Sequence, residues 1–319
     1  MHNSFLSIVG LIEHGHQVRL LPEYLEAIHG AVAERFSDFE IILVNNAQPR
    51  TEIEEAVRRV APAVQHHVYL LNLSGNTYRN NAVVAGLDRA NGDYTIFLEF
   101  QFAPQAEQLI VDLYDRSREG FDIVYLQAKQ RGNRRRWRPF VGLFYWILRK
   151  YSDLRIDPLA HDTRIISRRA LNSLLRLREN LRYMKAIYSM VGYQTTHLMV
   201  EQPLHEQNDL KFSEQFRTGL VAITSFTSFL RSLMLWIFLT SLAFLAVVIY
   251  NAIKVKVDNY DILGNYYKTV PGWTFLVVLI SIFFAITCLN IYIVSIYLSN
   301  IYQEIKQRPL YIVESVQRF

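Results

Sequence analysis

Hydrophobic positions in the first half of the chain alternate between two rhythms. Short apolar runs at Leu6–Ile12, Ile41–Val44, Val68–Leu73, Tyr94–Leu98 and Asp122–Leu126 read as buried strands. Between them the apolar residues recur at helical spacing, with Leu21, Leu25, Ile28 and Val32 inside 20–36. Further helices are expected over Glu52–Val60, from Ser74-Gly75-Asn76 to Ala90, and over Pro104–Arg118. Strands alternating with helices at this spacing predict a parallel sheet covered on both faces, a doubly wound α/β unit.

The second half has a different pattern. Phe140–Tyr151 is apolar, carries Tyr145 and Trp146, has cations at both ends, and is too short to span a bilayer. It fits a helix lying in the headgroup layer and, equally, a core helix. Leu233–Ile253 holds 21 residues without a charge, and Gly272–Ser299 is uncharged throughout. About 20 apolar residues cross the hydrocarbon core, so both runs are expected to be transmembrane helices joined by the polar loop Lys254–Pro271. Gln215–Leu230, with Phe216, Leu220, Phe226 and Phe229, is expected to run along the surface as an approach helix. The expected organisation is a soluble domain over 1–212, a juxtamembrane amphipathic helix over 213–231, two transmembrane helices over 232–305, and a tail over 306–319.

Charge narrows the function classes. The 319 residues carry a net charge of +5, and Lys129, Arg131, Arg134, Arg135, Arg136 and Arg138 fall close together. Clustered cations suit a membrane surface or a phosphorylated ligand better than bulk nucleic-acid binding; a solvated loop accounts for the same run. No helix-turn-helix or aromatic platform accompanies Arg134–Arg136, which sets nucleic acid aside as a partner. Cys288 is a single cysteine, so an intrachain disulfide framework is excluded. The first apolar run is broken early by Glu13 and His14, unlike a cleavable leader, so the soluble domain and both termini are expected in the cytosol.

Candidate chemistry lies where Tyr94–Leu98 ends. Glu99 and Gln101 follow that strand, and Pro104 opens the next helix. Open α/β sheets bind ligands beyond the carboxyl ends of their strands. A nucleotide diphosphate held through a divalent cation needs oxygen ligands there, usually carboxylates. Glu99 and Gln101 make half of such a site for Mg²⁺ or Mn²⁺, because Gln keeps an oxygen donor and loses the charge. Two unit charges 4 Å apart interact by about 4 kcal/mol at an effective dielectric of 20, which indicates what a second carboxylate would add. The histidines (His14, His16, His66, His67, His161, His205) show no metal-ligand spacing.

The order of parts resembles the polyprenyl-phosphate glycosyltransferases of the family-two, GT-A-fold class, similar to dolichol-phosphate mannosyltransferases with two C-terminal transmembrane helices. The likeness is carried by Asp38-Phe39-Glu40-Ile41-Ile42-Leu43-Val44, by Asn76 with Ala85-Gly86-Leu87 and Ala90-Asn91-Gly92-Asp93, and by Gly120-Phe121-Asp122-Ile123-Val124. His161-Asp162-Thr163-Arg164-Ile165-Ile166-Ser167-Arg168 and the tail from Ile301-Tyr302 to Arg308-Pro309-Leu310-Tyr311 continue it. The sequence departs from the family at the donor pocket. Leu11-Ile12-Glu13-His14-Gly15 stands where a Pro-Val-Tyr-Asn-Glu type segment is usual, and Asn45-Asn46-Ala47-Gln48 where two aspartates and Gly-Ser are usual. Glu99-Phe100-Gln101 replaces an Asp-x-Asp metal motif, and His205 to Asn208, Leu210 and Lys211 remain of a basic segment before the membrane.

The resemblance implies an α/β fold: a GT-A, Rossmann-like, mostly parallel sheet domain, then an amphipathic approach helix and a two-helix transmembrane hairpin. It implies transfer of a sugar from a nucleotide-sugar donor to a polyprenyl (undecaprenyl) phosphate with inversion, at a bacterial inner membrane. A tetrameric homo-oligomer and a cell-envelope role, such as lipopolysaccharide or O-antigen modification, are implied too. Asp162 matches the family's catalytic aspartate and would orient the acceptor or a residual cation, with Arg164 beside it. Asn45, Asn46, Asn76, Glu99 and Gln101 fall in the donor-binding positions, and Lys129, Arg131 and Lys211 in the phosphate-binding ones. A lipid phosphate is already anionic near pH 7 and attacks without a general base; stabilising the departing nucleotide diphosphate is the harder demand. Two readings follow. In one, Lys129, Arg131 and Arg164 neutralise the leaving group with little help from metal. In the other, a catalytically silent membrane subunit binds lipid phosphate or partners an active transferase.

Overall fold

Leu6 to Ile12 are buried without a break, which places β1 (His2–Ile12) in the middle of a sheet covered on both faces. In the computed structural model, which describes residues 2–128, 138–151, 157, 159–177, 184–200, 229–258, 260, 264, 266, 272–305 and 309–319, β1 pairs in parallel with β2 (Phe36–Asn45) and with β4 (Tyr94–Phe97). β2 continues in parallel to β3 (Val68–Leu73). One face is covered by α1 (Gly15–Val32) and α5 (Ala106–Arg118), whose Leu21, Leu25, Ile28, Ile110 and Leu113 join Ile8, Ile41 and Leu43 in one buried cluster. Each such side chain contributes about 1.5–3 kcal/mol on burial. Short helices α2 (Arg50–Arg58) and α3 (Pro62–Gln65) lead from β2 to β3.

The other face carries α4 (Arg79–Arg89). Gly86 lets this helix lie directly on the sheet: a Cβ there would fall 2.7 Å from Val44 Cγ2 and closer still to Val9 Cγ1. That close approach fixes the depth at which the first residue of α4 meets the strand ends.

Past β4 the sheet departs from the expected pattern. β6 (Ala160–Ser167) inserts between β4 and β5 (Ile123–Ala128), antiparallel to both, and β7 (Thr195–Val200) lies parallel to β5. β8 (Val313–Arg318) closes the far edge antiparallel to β3. The order is β7-β5-β6-β4-β1-β2-β3-β8. The sheet is therefore mixed rather than nearly all parallel: four pairings are parallel and three antiparallel. The spacing of strands and helices in sequence does not encode which strand inserts beside which, and the segment holding Ile165-Ile166 carries no turn signal to announce it. The tail segment 306–319, expected as an appendage, supplies a sheet strand.

By its internal contacts the chain divides into two units: Met1–Tyr145 with Asp153–Thr218 and Arg308–Phe319, and Trp146–Ser152 with Gly219–Gln307. Among the described residues the remaining α-helices are α6 (Arg138–Tyr151), α7 (Arg168–Arg176), α8 (Met184–Met190), α9 (Phe229–Asp258) and α10 (Trp273–Ile305). The 140–151 segment is thus helical, with Leu143 and Trp146 exposed and Ile147 buried. α9 and α10 run for 30 and 33 residues, and the Phe244 and Phe283 rings lie 6.3 Å apart between them. Among the described residues no helix is long and apolar enough to cross a membrane. The uncharged runs Leu233–Ile253 and Gly272–Ser299 of the full sequence fall on α9 and α10. The expected approach helix lies almost wholly outside the described residues, as do Lys129, Arg131, Arg134–Arg136 and Lys211.

Candidate active site

Three neighbouring strands, β1, β4 and β6, bring three carboxylates to one end of the sheet. Glu13 follows the last residue of β1, Glu99 lies two residues past β4, and Asp162 sits near the start of the antiparallel β6. All three turn on Arg79, the first residue of α4. Its Nη1 donates to Glu13 Oε2 at 2.5 Å, its Nη2 donates to Glu99 Oε1, and its Nε lies 3.7 Å from Asp162 Oδ2. The guanidinium also lies over the Phe97 ring, 5.9 Å from its centroid.

Each member is fixed from behind. Gln17 in the first turn of α1 accepts the backbone N–H groups of Glu13 (2.7 Å) and His14 (2.9 Å), while Gln48 Nε2 donates to the Glu13 carbonyl at 2.8 Å. Asn46 grips the loop ahead of α4 in both directions: its Nδ2 donates to Thr77 O and its Oδ1 accepts from Thr77 N, each at 2.9 Å. The backbone N–H of Glu99 meets Thr163 Oγ1 at 3.3 Å, and Tyr24 donates to the Leu98 carbonyl at 2.7 Å. From the C-terminal segment, Leu310 O accepts from Asn81 Nδ2 at 2.9 Å, and Ile312 O from Ser74 N at 3.0 Å.

Burial sets the electrostatics. Glu99 is only 6% exposed, and that burial is the main cause lifting its pKa from 4.5 to about 7. Arg79 pulls it down, Asp162 pushes it up, the Gln101 hydrogen bond lowers it, and Glu13 raises it. Burial likewise disfavours the charged Arg79, but Glu99, Asp162 and Glu13 outweigh that, and its pKa is raised. Arg79 therefore stays a cation. Asp162 is the most open of the acids, its side chain 37% exposed.

Gln101 and His161 line the Glu99 side. Gln101 Nε2 donates to Glu99 Oε2 at 2.7 Å and lies 3.3 Å from His161 Nε2. Thr163 N–H donates to His161 Nδ1 at 3.1 Å, and His161 Nε2 lies 3.6 Å from Glu99 Oε2. As a donor pair for Mg²⁺ or Mn²⁺, Glu99 and Gln101 do not fit. The amide presents its nitrogen to the carboxylate, and the other carboxylate oxygen is held by Arg79. Among the described residues no group of three or more His, Cys, Asp or Glu is arranged to hold a metal ion.

The other predicted residues fall in different places. Asn45 ends β2 and is bound into the strand-end turn, with Nδ2 donating to Gln48 O (3.0 Å) and Asn72 Oδ1 (2.9 Å) and Oδ1 accepting from Gln48 N (2.8 Å). Asn76 is exposed on the loop before α4. Arg164 is buried; its guanidinium lies 3.7 Å from the Tyr188 ring centroid and donates to the carbonyls of His161 (2.7 Å) and Asp162 (3.0 Å). It shapes the backbone that presents Asp162. Glu13 and Arg79 are the two members that sequence reasoning missed. Glu13 carried the same signal as Glu99, an acid just past a buried strand, whereas Arg79 carried only its place at a helix start.

Beside this cluster, at the ends of β2 and β3, lies an open cavity of about 380 Å³ whose walls include Asn45, Gln48, Asn72, Gly75 and Glu314. Asn46 separates it from the acids, its Nδ2 lying 3.4 Å from Glu13 Oε1.

Sequence comparisons indicate what the chain is similar to. Residues 20–175 match the family model described as Glycosyl transferase family 2. The chain is 28% identical over 287 residues to an uncharacterized glycosyltransferase of Synechocystis sp., covering 87% of this chain and 85% of the relative. It is 27% identical over 284 residues to a prophage bactoprenol glucosyl transferase homolog of Escherichia coli (88% and 90% covered). Identity is also 27% over 288 residues to a bactoprenol glucosyl transferase of Shigella phage SfII (88% and 89% covered). Among solved structures, a mannosyltransferase of Pyrobaculum calidifontis in complex with GDP-Man and Mn²⁺ aligns over 95% of this chain and 88% of its own, at 12% identity and a TM-score of 0.43. That last likeness is too distant to bear on the site. These sequence matches are all to glycosyltransferases.

Proposed function

We propose that the protein is a membrane-bound glycosyltransferase that moves a sugar from a nucleotide-sugar donor to a polyprenyl phosphate. The observation that carries this reading is the strand-end cluster of Glu13, Glu99, Asp162 and Arg79, beside a cavity at the ends of β2 and β3; Arg79, Glu99 and Asp162 fall within the segment that matches a glycosyltransferase family. Ligands of open α/β sheets bind at this end of the strands. The bactoprenol glucosyl transferases supply the acceptor class, because the likeness runs over 88% of the chain and so takes in far more than the nucleotide-binding half.

The reaction needs little covalent help from the protein. An oxygen of the anionic lipid phosphate attacks the anomeric carbon from the face opposite the donor phosphate. The new C–O bond forms as the old one breaks, and the electron pair leaves on the nucleoside diphosphate. Configuration inverts, and no proton has to be removed from the nucleophile. Asp162, the most exposed acid of the cluster, orients the acceptor, and the departing diphosphate is stabilised by cations of the chain.

α9 and α10 are the membrane hairpin in this reading. Their uncharged runs match or exceed the roughly 20 residues that cross a hydrocarbon core. Topology supports it: the chain leaves the sheet after β7, makes two long helices, and returns to add β8. An even number of crossings permits that return, with both ends of the hairpin on the cytosolic side of a bacterial inner membrane.

The test is to incubate purified full-length protein in detergent with undecaprenyl phosphate and a panel of radiolabelled nucleotide sugars. Label is expected in the lipid phase with one of the donors, and is expected to be lost in Asp162→Asn. No label with any donor, alongside retained binding of the lipid phosphate, would leave a silent lipid-binding subunit instead.

A further inference from the structure

We propose that Arg79 closes this cluster to a divalent ion: its guanidinium occupies the point on which Glu13, Glu99 and Asp162 converge, so the nucleotide is bound without a metal at the strand ends. The inference rests on reading the cleft as a nucleotide-sugar site.

Placement is the first argument. The three acids come from β1, β4 and β6, and a positive charge is what allows them to gather at one buried point. Oxygen ligands converging from separate strands are what Mg²⁺ and Mn²⁺ ask for. Here the Nη1 and Nη2 atoms of Arg79 take the Glu13 and Glu99 oxygens, and Gln101 takes the remaining Glu99 oxygen. A divalent ion entering this point would meet a fixed positive charge and spoken-for ligands.

The second argument is that Arg79 is held rather than merely present. Its side chain is 18% exposed. Its helix is seated by Gly86 against Val9 and Val44, and the loop before it is gripped by Asn46 at 2.9 Å in both directions. A guanidinium so restrained is oriented before a ligand arrives, the condition for electrostatic stabilisation without reorganisation. The third argument is capacity: Nη1 and Nη2 serve Glu13 and Glu99 and Nε faces Asp162, so all three nitrogens of the guanidinium are turned to the acids that would otherwise ligate an ion.

The experiment titrates Mn²⁺ into the full-length protein in detergent, following free Mn²⁺ by electron paramagnetic resonance. Wild type is expected to show only weak Mn²⁺ uptake. Arg79→Ala, which leaves Glu13, Glu99 and Asp162 facing one another, is expected to bind Mn²⁺ at least about tenfold more tightly once the like charge is removed. Adding Glu99→Gln to that variant is expected to abolish the gain. Mn²⁺ is also expected to raise the melting temperature of Arg79→Ala and not that of Arg79→Lys, which keeps the charge. In parallel, calorimetry with UDP and GDP is expected to give the same affinity for wild type in EDTA and in Mn²⁺. Tight Mn²⁺ binding by wild type, or nucleotide binding that requires Mn²⁺, would overturn the inference, and neither measurement depends on Arg79→Ala folding. Failure of sugar transfer with every donor would sink the transferase reading while leaving the Mn²⁺ result to decide Arg79.

Discussion

Two adjoining stretches of strand end are built here from different chemistry. At β2 and β3 the side chains are amides: Asn45, Asn46, Gln48 and Asn72 donate and accept among themselves and to backbone groups. At β1, β4 and β6 they are charges, three carboxylates around one guanidinium. An amide has both a donor and an acceptor, so one residue can close a turn in both directions, as Asn46 does with Thr77. It titrates nowhere and adds no field. A buried charge cannot be satisfied so locally; it demands a counter-charge from a distant part of the chain, and it acts on any ligand that comes near. The amide side sets positions, and the charged side is where reacting groups would feel a potential.

Substitutions can break that division of labour. The largest effect belongs to the charged side: Asp162→Asn lowers sugar transfer by about 10²-fold or more, a loss typical of removing one oriented electrostatic group, with little change in melting temperature because its side chain is 37% exposed. On the amide side the order reverses. Asn46→Ala strips the Thr77 N–H and C=O of their partner and costs about 1–3 kcal/mol of stability, read by denaturant unfolding. Activity falls only as far as Arg79 loosens.

pH sharpens the comparison further. Because burial raises the folded pKa of Glu99 from 4.5 to about 7, its contribution to stability is fully present below 4.5 and is lost as pH rises through about 7. Between about pH 5 and about pH 8, wild type should therefore lose melting temperature relative to Glu99→Gln, in which that titration is gone. Parallel curves for the two proteins would mean that Glu99 is not held up by burial. The smallest effect is at the turn beside the amides. Ala47 has φ 66°, in the left-handed region, and Ala47→Gly should stabilise by up to about 1 kcal/mol by relieving the Cβ contact.

How much of this was legible beforehand differs by residue. Val68–Leu73 is legible to the residue, and Glu99 as a strand-end acid, because both depend on local pattern. Asp162 is legible through a resemblance carried by its neighbours. Nothing local marks Arg79; its place follows from the seat of α4 on Val9 and Val44 and from three acids remote in sequence. Asn45 and Asn46, expected to meet the donor, hold the turn and Thr77 with their side chains, and Asn45 also lines the cavity at the ends of β2 and β3.

The sequence by itself determined the alternation of strands and helices, the two uncharged runs of the second half, and the acids and amides that follow the buried strands. These are properties of neighbours along the chain, where hydrophobic period and turn residues act over a few positions. Only the tertiary structure decided that β6 inserts antiparallel between β4 and β5, that the C-terminal segment returns as β8, and that Arg79 meets Glu13, Glu99 and Asp162. Strand neighbours and buried ion pairs are settled by which distant surfaces close over one another and by the need to pair every buried charge, and neither is written in local spacing.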